Sequence, residues 1–237
     1  MDLQQRLQRS HSTDMPDFSK YLPIGQDDSL VQIITNSKIL AEPYWELTDD
    51  WEGRHYTDYI AQHPHYGGIY VRSGLASRLQ VAANALDDRY KLVIRAGHRP
   101  IEVQRNILRD CAYNYKAEHA GISDTEALQH ARTFVSDPDI KLPPHVCGAA
   151  VDVDVIDQTT GQLLDFGSKM NDDNDISALY YPNLTSEQKN NRLMLITAML
   201  SAGMASYNPE WWHFSYGDQA WAWFYGHEHS LYDLIDL

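Results

Sequence analysis

The sequence predicts an α+β fold, a single domain over residues 1–237 with a central antiparallel sheet flanked by helices. Three observations carry this expectation. A chain of 237 residues with 43% hydrophobic content suits one sizeable core. Some stretches repeat apolar residues at helical spacing, whereas others alternate apolar and polar residues in strand fashion. The two kinds are interleaved without the regular strand–helix–strand rhythm of a parallel sheet. No internal repeat or low-complexity tract interrupts them.

The elements follow in order. The first thirty or so residues are polar, with scattered Pro and Gly, and read as an irregular arm over the core. Trp45 to Gly68, rich in Tyr, Trp, His and Gly, suits loops and short strands. From Ser73 the apolar positions Leu75, Leu79, Ala82, Ala83 and Leu86 predict a helix. Lys91–Arg95 (KLVIR) is a short buried strand. The turn Ala96-Gly97-His98-Arg99 leads to Pro100 at the first turn of another helix, with Val103, Ile107 and Cys111 on one face. Ser123 and Glu126 have capping-box spacing and open a helix with the stripe Leu128, Ala131, Val135. Ser136 to Pro144 carries three prolines and is a loop. Ala149–Ile156 (AAVDVDVI) alternates as a strand, Asp157–Gly161 turns, and Gln162–Asp165 pairs back as a hairpin. Thr185 and Gln188 form another capping box, Leu193, Ile196 and Leu200 build a buried face, and Gly203 stops that helix. The aromatic run Trp211 to Tyr225 reads as strand-rich.

Composition narrows the functional classes. The net charge of −14 repels phosphate backbones and anionic lipid, which argues against nucleic-acid and membrane partners. No apolar run approaches the roughly 20 residues of a spanning helix. The start, MDLQQRLQRSHSTD, lacks the apolar region of a secretory signal, so the expected location is cytoplasmic. Two cysteines, Cys111 and Cys147, make no disulfide framework and no zinc finger, so any metal must be held by histidine and carboxylate.

Three blocks have the makings of a reactive site. In His145-Val-Cys-Gly-Ala-Ala-Val-Asp152, Asp152 lies in an apolar strand, where a buried carboxylate needs a counter-charge. A cation shared with His145 supplies one; a loop His beside an unrelated strand-end Asp is the plainer alternative. In Glu210-Trp-Trp-His213, a third ligand at His213 completes a two-His, one-carboxylate set with an open position for water. Glu210 is then free to take that water's proton; an aromatic core strand with a satisfied His is the alternative. In Gly97-His98-Arg99-Pro100, a fixed cation at a strand-to-helix turn suits oxyanion stabilisation, and equally suits an ion pair anchoring the helix.

Taken together and in this order, the blocks resemble the D-alanyl-D-alanine dipeptidases of the vancomycin-resistance type, within the wider D-Ala-D-Ala metallopeptidases. The matching residues are G-H-R-P at 97–100, H-x-x-G-x-A-x-D at 145–152 and E-W-W-H-F at 210–214, and the similarity spans Tyr44 to Phe214. The resemblance implies one Zn2+ per chain held by His145, Asp152 and His213. It also implies Glu210 as general base, Arg99 as transition-state stabiliser, and Asp165, in Asp165-Phe166-Gly167, as holder of the substrate's free amine. The implied substrate is a small D,D-dipeptide, D-Ala-D-Ala first. Trimming of peptidoglycan stem peptides by a D,D- or L,D-carboxypeptidase shares the metal site. A non-catalytic zinc module is the third reading, and Glu210 with Arg99 speaks against it. Oligomeric state is not legible.

There are departures. The family's Ser two residues before the first His is Pro143 here, its G-Y-R-P tyrosine is His98, and Ala112 to Pro138 reads as an insertion near the cleft. Two H-x-H pairs, His63/His65 and His227/His229, lack a carboxylate-and-Gly context and are decoys. Cys147, in a strand-entry turn, points away from the site. The sequon at Asn183-Leu-Thr185 is irrelevant in a cytoplasmic protein.

Overall fold

The alternation in Ala150–Asp157 becomes the middle of the sheet. In the computed structural model, which describes residues 1–13, 16–47, 51–172 and 174–235, Val151, Val153 and Val155 of this strand turn to the core, while Asp152 and Asp154 face the other way. The strands are β1 (Leu30–Gln32), β2 (Ile39–Ala41), β3 (Tyr70–Arg72), β4 (Tyr90–Ala96), β5 (Ala150–Asp157), β6 (Gln162–Leu163), β7 (Ala205–Tyr207) and β8 (Glu210–Ser215). The helices are α1 (Leu3–Ser10), α2 (Trp51–Gln62), α3 (Ser73–Ala85), α4 (Ile101–Glu118), α5 (Asp124–Ala131), α6 (Ser186–Ser201) and α7 (Gln219–Tyr225).

The main sheet runs β2-β4-β5-β8-β7, with β6 paired to β5. Its pairings are antiparallel except for β2, which joins β4 in parallel. β1 and β3 form a separate antiparallel pair. The α+β class and the flanking helices are as the sequence predicts. Leu75, Leu79, Ala82 and Ala83 of α3 and Leu195, Ile196, Met199 and Leu200 of α6 pack into one cluster with the valines of β5. Each such side chain contributes roughly 1.5–3 kcal/mol on burial. Both predicted capping boxes form: Ser123 with Glu126 at α5, and Thr185 with Gln188 at α6. Gly203 adopts the left-handed φ of +83° that ends α6.

Five expectations need correction. Residues 3–10 are not irregular; α1 is a helix opened by an Asp2–Gln5 capping box and packed on α6. Arg6 and Arg9 tie it down by donating to the carbonyls of Leu200 (2.7 Å) and Trp223 (2.9 Å). The Trp45 to Gly68 stretch is dominated by α2, although residues 48–50 lie outside the described residues. Its stability comes from ring packing, Tyr56 lying flat on Trp45 at 4.4 Å, rather than from an apolar period. The aromatic run after Trp211 is strand only to Ser215 and then becomes α7, which Asp218 caps at Trp221 N (2.8 Å). α5 stops at Ala131, short of Val135. Leu193 is 51% exposed; the buried face of α6 runs one step round, through Leu195 and Met199. Among the described residues no helix is long and apolar enough to cross a membrane.

Candidate active site

Two of the proposed ligands are fixed by strand register. Asp152 of β5 and His213 of β8 are direct cross-strand partners, which puts their side chains on one face. His213 Nδ1 lies 3.1 Å from Asp152 Oδ1. The third, His145, comes from the tight turn before β5, where Gly148 takes a φ of +67°. A Cβ at Gly148 would come within 2.8 Å of Leu30 Cδ2. His145 Nε2 reaches Asp152 Oδ2 and His213 Nδ1, each at 3.3 Å. All three residues are buried.

The tautomer of His145 follows from its other nitrogen. Nδ1 lies 2.8 Å from the carbonyl of Gly97, which can only accept, so Nδ1 carries the proton. Nε2 then faces a carboxylate oxygen and a second imidazole nitrogen. Three electron-rich atoms facing one another in a buried site require a proton or a cation between them. Burial would raise the Asp152 pKa, but the charge and hydrogen bonds of His145 and His213 hold it well below the usual range. Burial would lower that of His213, and Asp152 reverses this, so its pKa is raised. Among the described residues, His145, Asp152 and His213 form the one group of three whose ligand atoms could share a metal, all within 4.8 Å of one another. Two nitrogens and one oxygen, which leave the fourth position of a tetrahedron without a protein ligand among the described residues, fit zinc of the catalytic type. Cys147 is not part of this set: its thiol donates to Pro143 O at 3.2 Å. Two of the four decoy histidines sit in ring stacks, His63 on Tyr59 and His227 on Trp221.

Glu210 joins the group through a defect in the sheet. Residues i and i+3 of a regular strand face opposite ways, yet Glu210 Oε2 lies 3.8 Å from His213 Nδ1. The β7–β8 register explains this: Ser206 pairs with Phe214, and Tyr207 then pairs with Glu210, so β8 bulges across three residues. The bulge turns Glu210 toward His213, and its side chain is 38% exposed where His145, Asp152 and His213 are buried. Glu210 thus stands at the mouth of the site.

Arg99 reaches the same region by a different route. Its backbone N–H donates to His145 O at 3.1 Å, so the Gly97–Arg99 turn holds His145 by both its ring and its carbonyl. Gly97 is obligatory there, because a Cβ would meet Tyr70 O at 2.4 Å. The guanidinium is oriented by Tyr56 Oη (2.9 Å from Nε) and Gln104 Oε1 (3.0 Å from Nη1). Gln104 is fixed in turn by donating to Ser136 O at 2.7 Å, at the end of the Ala112–Pro138 segment. The sequence reading missed both partners. Gln104 had a signal, being a polar residue on the buried face of α4; Tyr56 had none within its local stretch. His98 is buried against Tyr66 Oη, and burial lowers its pKa to about 3, so the ring is neutral.

Asp165 is not drawn into the ligand cluster. Its carboxylate accepts from Gly167 N (2.8 Å) and Gln188 Nε2 (2.9 Å) and is exposed. The loop that carries it is tied to β8: Phe166 stacks on Trp211 at 4.1 Å, and Trp211 Nε1 donates to Ser168 Oγ at 3.0 Å.

Comparison with known proteins identifies the relatives of this chain. The chain is 28% identical over 221 residues to a D-alanyl-D-alanine dipeptidase of Synechocystis, covering 81% of this chain and 83% of that one. Among solved structures, the vancomycin-resistance D,D-pentapeptidase VanY in complex with Zn(II) aligns at 17% identity with a TM-score of 0.43, over 88% of this chain and 90% of that one. The LD-carboxypeptidase LdcB aligns at 17% with a TM-score of 0.40, over 63% and 60%. The family pattern described as D-ala-D-ala dipeptidase matches residues 69–233, a stretch that includes His145, Asp152, Glu210 and His213 as well as Arg99. The match extends over well more than half of the sequence, so this chain belongs to the D-Ala-D-Ala dipeptidase family and is a peptidase.

Proposed function

We propose that this peptidase hydrolyses a small D,D-dipeptide, D-Ala-D-Ala first, with one Zn2+ held by His145, Asp152 and His213. The observation that carries the reading is the placement of Glu210 beside the three-ligand cluster by the β8 bulge. A structural zinc site has no use for an acidic side chain at its open side. When bound, zinc supplies Lewis acidity, polarising the scissile carbonyl and making water more acidic. Glu210 accepts the proton of the attacking water on a carboxylate oxygen and delivers it to the departing amine. Arg99, held in orientation by Tyr56 and Gln104, donates to the oxygen that gains charge as the carbonyl carbon becomes tetrahedral. Trp211 and Trp212, both buried, keep bulk water from that side and so strengthen the interaction. Asp165 receives the ammonium of the substrate; its exposed carboxylate and its tether to β8 through Phe166 and Trp211 support this role. An acidic group at the amine end favours a dipeptide over a longer stem peptide, whose chain continues there.

The test is Glu210→Ala. The variant is expected to bind zinc as the parent does and to lose roughly 10²–10⁴-fold in D-Ala-D-Ala hydrolysis. Hydrolysis at the parental rate would refute the assignment. A parallel assay on a pentapeptide ending in D-Ala-D-Ala separates dipeptidase from carboxypeptidase, and Asp165→Asn is expected to narrow the preference between them.

A further inference from the structure

The backbone that follows the first ligand is held from behind by a single side chain. Val146, Cys147 and Gly148 sit in a turn with a left-handed glycine, where regular sheet pairing is absent, so their carbonyls need donors from elsewhere. Arg72, the last residue of β3, supplies two. Its backbone N–H donates to Gly148 O at 2.9 Å and its Nε to Cys147 O at 2.9 Å. The third donor is the N–H of Ile235, which reaches Val146 O at 3.3 Å. The remaining arms of the guanidinium clasp the flanking chain: Nη1 donates to Asp28 O at 2.6 Å and Nη2 to Asp233 O at 3.1 Å. The guanidinium also lies 5.1 Å from the ring centre of Tyr232, which is fully buried. One planar fork thus joins the metal-ligand turn to two distant stretches of chain. A lysine cannot do this from a single point of charge.

We propose that Arg72, backed by the segment through Ile235, is a positioning residue of the metal site. It fixes His145 relative to Asp152 through the backbone of residues 146–148. This rests on the reading of His145, Asp152 and His213 as zinc ligands. The front of the turn is already fixed by Gly97 O and Arg99 N, so the rear clamp removes the remaining freedom of the one ligand that does not come from a strand. The cost of losing the clamp therefore falls on zinc affinity, because His145 must be ordered again each time the metal binds.

The experiment measures the zinc dissociation constant of the full chain by competition with a chromophoric chelator, together with the Tm of the metal-free protein. Arg72→Lys is expected to weaken zinc binding roughly 10–100-fold. Ile235→Pro removes the N–H to Val146 together with the side chain beside Gly148, both behind the turn, and is expected to weaken it roughly three- to tenfold. Arg89→Gln, which breaks the ion pair with Asp157 at the far end of β5, serves as the control for stability alone and is expected to leave zinc affinity unchanged. The proposal is overturned if folded Arg72→Lys and Ile235→Pro bind zinc as the parent does, or if Arg89→Gln weakens binding to the same extent. Should Arg72→Lys fail to fold, Ile235→Pro decides. Failure of the parent chain to take up zinc would instead refute the metal site on which the proposal rests.

Discussion

The guanidinium of Arg99 has two identified acceptors that do not carry charge, Tyr56 Oη and Gln104 Oε1, each on a different helix. Replacing the fork by an ammonium removes at least one of these contacts. Arg99→Lys is therefore expected to lower kcat/KM for D-Ala-D-Ala by roughly 10²-fold or more while zinc affinity holds. Steady-state kinetics beside the chelator titration would check it, and an unchanged kcat would remove Arg99 from the reaction. The unequal legibility of the site has its cause here. His145 with Asp152 and Glu210 with His213 are close along the chain, so strand and turn chemistry brings each pair into view from the sequence. Tyr56 comes from a helix with no apolar period. Arg72 acts on backbone atoms, which leaves no trace in residue types. Cys147 was read correctly as a bystander because a strand-entry turn dictates where its side chain goes.

Whole elements are held by similar devices, and Asp28 shows one with a measurable pH signature. Its carboxylate accepts from Ser73 Oγ, from Tyr232 Oη at 2.7 Å and from Gly74 N at 2.8 Å, joining the start of α3 to the chain beyond α7. Burial opposes its ionisation, but these donors and the charge of Arg72 more than offset that, and its pKa is lowered. A carboxyl lowered in the folded state contributes stability that is complete above the unfolded pKa, about 4, and is lost as pH falls through the lower native value. Asp28→Asn is expected to lower the stability at pH 7 by on the order of 1–3 kcal/mol, seen as a lower Tm, with the deficit shrinking below about pH 4. Thermal melts across that range provide the check; a deficit constant with pH would show that shape rather than charge is at work. Elements with capping boxes and apolar stripes, such as α5 and α6, were legible in the sequence. α1 has the same Asp-x-x-Gln signal but is so polar that only docking by Arg6 and Arg9 reveals its face. α7 was hidden because its aromatics suit a strand equally well, although Asp218 before it and Gly226 after it, at φ +74°, are helix punctuation.

Across the molecule, the proposed ligand set draws together β5, β8 and the turn after the Pro-rich loop, so a metal bound to it would favour the folded chain over the unfolded one. With free Zn2+ at a hundred times its dissociation constant, the gain is about 2.7 kcal/mol. For a chain of this length that corresponds to roughly 5–10 °C in Tm. Removal of metal by a chelator should lower the melting temperature by about that amount, and an unchanged melt in a preparation shown to have held zinc would contradict the site. The sheet that organises these parts was legible as antiparallel and central; the parallel β2 was not, since its three residues carry no pattern of their own. The bulge in β8 has a final consequence, for the kinds of change this chain can accumulate. Substitutions at Trp211 or Trp212 alter packing but keep the bulge, whereas inserting or deleting a residue between Glu210 and His213 changes the length of the bulge and so displaces Glu210 relative to His213. The spacing of Glu210 and His213 is thus written in chain length as much as in residue type, and a change of length there shifts one against the other where a change of side chain leaves the spacing intact.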